Sequence, residues 1–437
     1  MKSDAPVAIV GGGFSGTMVA AHLARAEVKS MLIDGSGRMG QGTAYATLQP
    51  AHLLNVRAEG MSAWPDDPQD FARRFEREGG EPRGFAQRQM FGTYLRDILA
   101  DAVAAGAVET VAATVTSASR SGDGWTVTLD DGVRIAARAL VLATGNEPPD
   151  DVAKEETRRF VGNPWGAAAQ AAVAALVADG GDALIIGTGL TMVDLALSLD
   201  AAGFDGKILA LSRRGLIPRG HAEFAPAPVA LDAVPAGSAR AVLRWLRQRG
   251  ATSGWRAAVD SLRPHSAALW QGFNVAEQKR FMRHARPWWD VHRHRIAPEV
   301  AATIAGMIAD GRLEIVAGRL LSVTEENDGL SVAYRRRGAA ETRQARFAYG
   351  FNCTGPLQSI ARTTDPLLRS LLDAGEVVPD QLGIGLAVDK RSRASDSAAL
   401  WALGPLTKGR YWEIVAVPDI RGQAAAVASD IVQELGQ

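Results

Sequence analysis

The stretch Val7-Ala8-Ile9-Val10-Gly11-Gly12-Gly13-Phe14-Ser15-Gly16 constrains this chain more than anything else in its 437 residues. Four apolar residues run unbroken into glycine, as in a parallel strand buried on both faces. Gly11, Gly13 and Gly16 then satisfy G-x-G-x-x-G, and residues 14 to 26 have helical spacing. A second apolar stretch, Met31-Leu32-Ile33, ends at Asp34. The order is strand, turn, helix, strand. Glycines at such a turn let a pyrophosphate reach the helix N-terminus, where free N–H groups and the helix dipole favour anions. Asp34 lies 23 residues beyond Gly11, near the spacing of a carboxylate that binds a ribose hydroxyl. The expected ligand is a dinucleotide. Glycine turns also occur without a ligand, and the strand-turn-helix context argues against that alternative.

The same unit recurs. Ala183-Leu184-Ile185-Ile186 leads into Gly187-Thr188-Gly189-Leu190-Thr191, a helical stretch to Leu199, and Lys207 to Leu211. Downstream the parallel continues. The first unit is followed by Gly124–Leu129, an Asp-Asp-Gly turn, and a strand reaching Thr144-Gly145; the second is followed by Asp328–Tyr334 and a strand reaching Thr354-Gly355. A repeated architecture of this kind implies two nucleotide-type units in an α/β fold. The second copy has Met192 where the third glycine would stand, so its helix and strand are expected to pack less closely. It also ends in Ser212-Arg213-Arg214 rather than in an acid. Paired arginines suit a ribose 2′-phosphate, which favours NADPH over NADH, although an exposed basic turn is the alternative.

Composition narrows the classes. Lys plus Arg and Asp plus Glu both total 48, so no global field favours nucleic acid or an anionic membrane. One cysteine, Cys353, cannot supply a dithiol redox centre or a cysteine-based zinc site, and it reads as a small buried residue at a strand end. The opening Met1–Pro6 stretch does not resemble a cleavable signal, and no run of about 18 apolar residues suggests a membrane span, so a cytoplasmic location is expected. The alanine-rich stretch 167–178 reads as a helix. Residues 219–301 read as a helical insertion rich in Arg, His and Trp, placed over a cleft. Within it, His292 and His294 would stand about 200° apart on a helix and cannot share a metal. Trp289 and Arg293 are candidates for a cationic, aromatic substrate wall, a solvated basic face being the alternative.

Taken with Gly40-Gln41-Gly42-Thr43-Ala44-Tyr45, His52 to Val56, Met61-Ser62-Ala63, Phe351 to Pro356, Leu403-Gly404-Pro405 and Pro418 to Arg421, these motifs resemble the bacterial FAD/NAD(P)-binding family of the YdhS type. That family belongs to the two-dinucleotide-domain flavoproteins and is similar to class B flavin monooxygenases, amino-acid N-hydroxylases and a bacterial urate hydroxylase. The resemblance implies two Rossmann-like domains in a glutathione-reductase-like arrangement. FAD would be held by residues 1–165 and 351–437, and the reduced nicotinamide by 166–350 with the insertion. It places Gly11, Gly13, Phe14, Ser15, Gly16, Asp34, Gly42, His52, Leu54, Asn55, Met61, Thr144, Gly145, Thr354, Gly355, Gly404, Pro405 and Ile420 around FAD. Gly187, Gly189, Leu190, Thr191, Arg213 and Arg214 fall around NADPH. The start of a final helix at Pro418-Asp419-Ile420 would stabilise charge on reduced flavin. One departure is clear: Phe160 and Gly162 begin an F-x-G-x-x-x-H signature, but Gly166 stands where the histidine belongs.

The activity implied is an NAD(P)H-consuming monooxygenase acting on a small polar or anionic substrate of urate or amino type. Hydride would pass to flavin and O₂ would add to give a flavin hydroperoxide. Asn55 is the candidate catalytic contact, since an amide donates without titrating; a turn or capping role is the alternative. A reductase that does not oxygenate and a non-catalytic redox sensor remain open at this point. No metal, nucleic-acid or membrane partner is expected.

Overall fold

The computed structural model describes residues 4–153, 157–326, 328–396 and 398–436; Met1, Lys2 and Ser3 of the opening stretch lie outside them. The chain begins with β1 (Val7–Val10), β2 (Ser30–Ile33), β3 (Val108–Val111), a meander of β4 (Val115–Ser121), β5 (Gly124–Leu129) and β6 (Arg134–Ala137), and β7 (Ala139–Leu142). It continues through β8 (Phe160–Val161), β9 (Ala183–Ile186), β10 (Ile208–Ser212), β11 (Leu313–Glu326), β12 (Gly329–Arg336), β13 (Arg343–Phe347) and β14 (Tyr349–Asn352). The last strand is β15 (Leu400–Ala402).

Among the described residues these strands form three sheets. The first runs β15-β7-β1-β2-β3 and is parallel throughout. The second runs β13-β12-β11-β10-β9-β14-β8, parallel from β11 to β8 and antiparallel beyond β11. The third is the separate meander β4-β5-β6. Strands buried on both faces should be continuously apolar, and Val7, Ala8, Ile9, Ala183, Leu184 and Ile185 are all fully buried. The α/β class and the doubled unit expected from the sequence are therefore present. The second sheet overruns the expected 166–350 segment at both ends, because β8 precedes residue 166 and β14 continues past residue 350.

The repeat extends to individual hydrogen bonds. Gly11 N–H donates to the Ile33 carbonyl (2.9 Å) and Gly187 N–H to that of Leu211 (2.8 Å). Ala143 N–H donates to the Val10 carbonyl (2.8 Å) and Cys353 N–H to that of Ile186 (2.7 Å). The alanine-rich stretch is the helix Ala167–Asp179, stopped by Gly180 at φ 75°. Between β10 and the helix Pro298–Ala309 lies the insertion, with helices Ala239–Ser253, Trp255–Leu262, Ser266–Gly272, Val275–Arg280 and Arg286–Arg293. Among the described residues no helix is long and apolar enough to cross a membrane.

Candidate cofactor and active site

At the first glycine turn an added Cβ has no room. On Gly11, at φ 107°, it would stand 2.3 Å from the Ala143 carbonyl oxygen; on Gly16 it would stand 2.0 Å from that of Gly11. The helix Phe14–Arg25 starts from Gly13 with no side-chain cap and no acid in its first turn. In the insertion, by contrast, Ser238 caps its helix by accepting from Ala241 N–H. Uncapped N–H groups at the end of a helix are a site for an anion. Gly42 (φ 60°) packs on Gly13, where its own Cβ would stand 2.9 Å from the Gly13 Cα. Asp34 holds the turn, accepting from Gly12 N–H (2.6 Å) and Ser36 N–H (2.7 Å). The Thr144 hydroxyl is buried without a partner among the described residues, and the adjacent Gly145 faces open space at φ 77°. An unsatisfied buried hydroxyl next to an uncapped helix fits a phosphate- and ribose-bearing group.

The far end of the chain closes this turn. A Cβ on Gly404 (φ 64°) would reach 2.8 Å from the Ser15 Oγ, and Gly404 N–H donates to Gln423 Oε1 at 2.8 Å. Pro405 then opens a short helical turn, Gly404–Thr407, and Ile420 lies in the C-terminal helix Val417–Gly436. Phe14, Leu54, Met61 and Ile420 are buried together in the apolar core of this unit. Their side chains support the site by packing.

The second turn repeats the plan with changes. Gly187 (φ 111°) would place a Cβ 2.1 Å from the Cys353 carbonyl oxygen, and Gly189 begins the uncapped helix Leu190–Ala201, in which Thr191 is half-buried. Gly189 is exposed, with nothing within 4 Å of its Cβ position. Thr354 hydrogen-bonds Asn352 Oδ1 (2.7 Å), and Gly355, like Gly145, faces open space at φ 89°. Where the first unit sets Asp34 against the turn, the second sets Ser212, whose hydroxyl meets that of Thr188 at 2.8 Å. Arg213 is exposed, and Arg214 donates to the Arg283 carbonyl (3.2 Å). Both arginines therefore follow an uncharged strand end beside an open turn.

Two sequence expectations change. His52 was expected at the cofactor, yet both ring nitrogens are engaged by protein: Nδ1 with the Thr47 hydroxyl (2.8 Å), Nε2 with the Asp194 carbonyl (2.8 Å) and the Ser198 hydroxyl (3.0 Å). It ties the first unit to the second helix. Burial pulls its pKa down, so the neutral ring makes these bonds. Beside it the pair of half-buried Arg88 and buried Asp194 (3.0 Å) crosses the same seam, with burial raising the Asp194 carboxyl. Nothing local in the sequence announces either tie. Asn55, which is half-buried, accepts from His221 Nε2 through its carbonyl (3.1 Å), and its side chain makes no hydrogen bond among the described residues.

The second change concerns the wall. Trp289 Nε1 donates to Glu413 Oε1 (2.6 Å), and buried Arg293 pairs with Glu413 (3.3 Å) and Asp419 (3.9 Å). The arginine charge is neutralised inside the protein, where a solvated or substrate-facing cation was expected. His292 contacts Trp255 and the Trp288 carbonyl, whereas His294 faces Glu413 at 3.8 Å, so the two histidines diverge. Cys353 is buried, and burial pushes its thiol well above the ordinary range.

Fold and site together define two Rossmann-like dinucleotide-binding units, the second carrying the helical insertion. Residues 8–147 match the family model described as FAD-NAD(P)-binding. No curated protein matches the chain. Among solved structures it is similar to L-lysine 6-monooxygenase from Pseudomonas syringae (TM-score 0.69, 16% identity, 99% of this chain and 100% of that one). It is also similar to the reduced form of ornithine hydroxylase from Pseudomonas aeruginosa (0.68, 16%, 99% of each). A further neighbour is thioredoxin reductase from Lactococcus lactis (0.56, 15%, 98% of this chain and 99% of that one).

Proposed function

We propose that the chain is an NADPH-consuming, FAD-dependent monooxygenase. The observation that carries this reading is the asymmetry of its two turns. The first is closed by the protein's own residues 404 and 423, as suits a retained FAD, and the second is open and followed by Arg213-Arg214, as suits an exchanging NADPH. In this reading FAD lies between the first sheet and the C-terminal segment, and the nicotinamide lies on the second sheet. Bound FAD supplies the redox chemistry. The chain holds the pyrophosphates at the two uncapped helix ends, offers the Asn55 amide toward the reacting face, and matches a 2′-phosphate with guanidinium groups. One NADPH, one proton, one O₂ and one substrate molecule yield NADP⁺, water and the oxygenated substrate.

The hydroxylase neighbours support oxygenation, while the reductase neighbour favours electron transfer alone. A route through two protein thiols is closed to this chain, because its one cysteine is buried. The urate-type substrate rests on the family resemblance alone, since the Arg293 environment does not support an anion site. The deciding measurement is NADPH oxidation under ¹⁸O₂ across purines, amino acids and aromatic compounds. Label in a product supports the monooxygenase; hydrogen peroxide as the sole oxygen product in every case assigns a non-oxygenating reductase.

A further inference from the structure

We propose that the insertion carries a binding site for an apolar, ring-containing small molecule, and that the substrate sits there; the second half rests on the flavin-enzyme reading above. A cavity of about 460 Å³ is walled by Trp255, Trp270, Trp288, Trp289, Trp412 and Phe281. Small-molecule sites commonly span about 300–1,000 Å³ and are lined mostly by apolar and aromatic groups.

Four of the rings are held by one another or by the surrounding chain, so much of the space is pre-formed. Trp270 Nε1 donates to the Gly409 carbonyl (2.8 Å), and its ring stacks on Trp412 at 4.8 Å between centroids. Phe281 meets Trp412 edge-on at 5.3 Å, and Trp289 is held by Glu413. Rings that cannot collapse inward leave apolar surface for a ligand to cover, and little ordering cost opposes binding.

Two polar groups in the wall are already engaged by the protein. The Ser266 hydroxyl is satisfied by the Leu262 carbonyl (3.1 Å) and His292 Nδ1 by that of Trp288 (2.7 Å). Arg247 is the remaining charged lining residue, so an acidic group is accommodated only toward it. The Trp412 indole nitrogen is buried and has no hydrogen-bond partner among the described residues. Trp412 and Glu413 also lie in the segment leading into the C-terminal helix, so the cavity adjoins the part of the chain that closes the first turn.

Calorimetric titration of the FAD-loaded protein with 2-naphthol, using urate as the polar comparison, tests this. The expected result is saturable 2-naphthol binding at least tenfold tighter than that of urate, a flavin difference spectrum on binding, and faster NADPH consumption. Leu246→Trp, which fills the cavity, should weaken binding at least tenfold, and Trp288→Ala at the 43% exposed rim about threefold, with FAD content per chain as the folding control. Unchanged affinity in both variants, or no saturable binding, overturns the site. Binding without a change in NADPH consumption overturns its role as substrate pocket. A dimer that dissociates as 2-naphthol binds assigns the cavity to a second copy of the chain instead. Naphthol binding by a protein that takes up no FAD refutes the flavin reading and leaves the site standing.

Discussion

The two glycine turns share a backbone and differ in what surrounds them. Both lock a left-handed glycine, Gly11 or Gly187, against the strand that returns from a meander, and both leave a helix end uncapped. The first is packed from several sides by Gly42, Asp34, Ser15 and Gly404, whereas Gly189 of the second has nothing within 4 Å of its Cβ position. The same local device is thus enclosed in one unit and open in the other, and the difference lies in distant chain segments; on the proposed reading that difference separates a retained nucleotide from an exchanging one.

The strongest way to break this comparison is to make one lesion in both turns. Gly11→Ala forces a Cβ at positive φ into a carbonyl, adding backbone strain of about 1–3 kcal/mol to the clash. It should yield colourless protein with less than a tenth of the FAD. Gly187→Ala meets the same obstruction but should retain FAD and lose reduction by NADPH. Equal loss of flavin in both would mean that the turns do not act separately.

The seam between the units gives the next effect. Burial lowers the His221 pKa from 6.5 to about 4. The unfolded chain therefore gains a proton below pH 6.5 that the folded chain refuses, and stability falls as pH drops from 6.5 to about 4. The loss amounts to about 3 kcal/mol at most. Melting curves across that range should show it, and His221→Gln, which does not titrate, should flatten the slope. An equally steep profile in the variant would place the titration elsewhere.

A smaller effect sharpens the contrast at the strand ends. Replacing Arg213 and Arg214 with alanine should narrow the preference for NADPH over NADH at least tenfold, about 1.4 kcal/mol, while leaving FAD content alone. An unchanged ratio of the two reduction rates would return both residues to ordinary surface. The smallest change is expected of Gly404→Ala, in which a Cβ at φ 64° meets the Ser15 side chain, whose hydroxyl can turn aside: FAD should dissociate a few times faster while its absorbance stays close to normal.

What the sequence disclosed follows the same division. Features written within about 25 residues were legible: both glycine turns, their apolar strands, the alanine-rich helix, the helical character of the insertion and the missing acid at Ser212. Roles set by distant partners were not. Arg293 reads as a surface cation until Glu413, 120 residues away, is placed beside it, and His52 reads as a cofactor ligand until the Leu190–Ala201 helix arrives at its ring. The Trp-rich composition was visible, but the empty volume enclosed by those rings depends on how four helices, the 281–285 stretch and residue 412 meet, which no spacing encodes.

The pairing of β15 with β7 also sets an order of manufacture. During synthesis at about 5–20 residues per second, the strands of the second sheet have all been made once residue 352 has left the ribosome. The first sheet must wait, because its edge is residues 400–402 and the residue that fixes Gly404 is Gln423. The segment translated first is thus the last to be finished, and a nascent chain interrupted before position 400 would expose the flank of β7 without the strand meant to cover it.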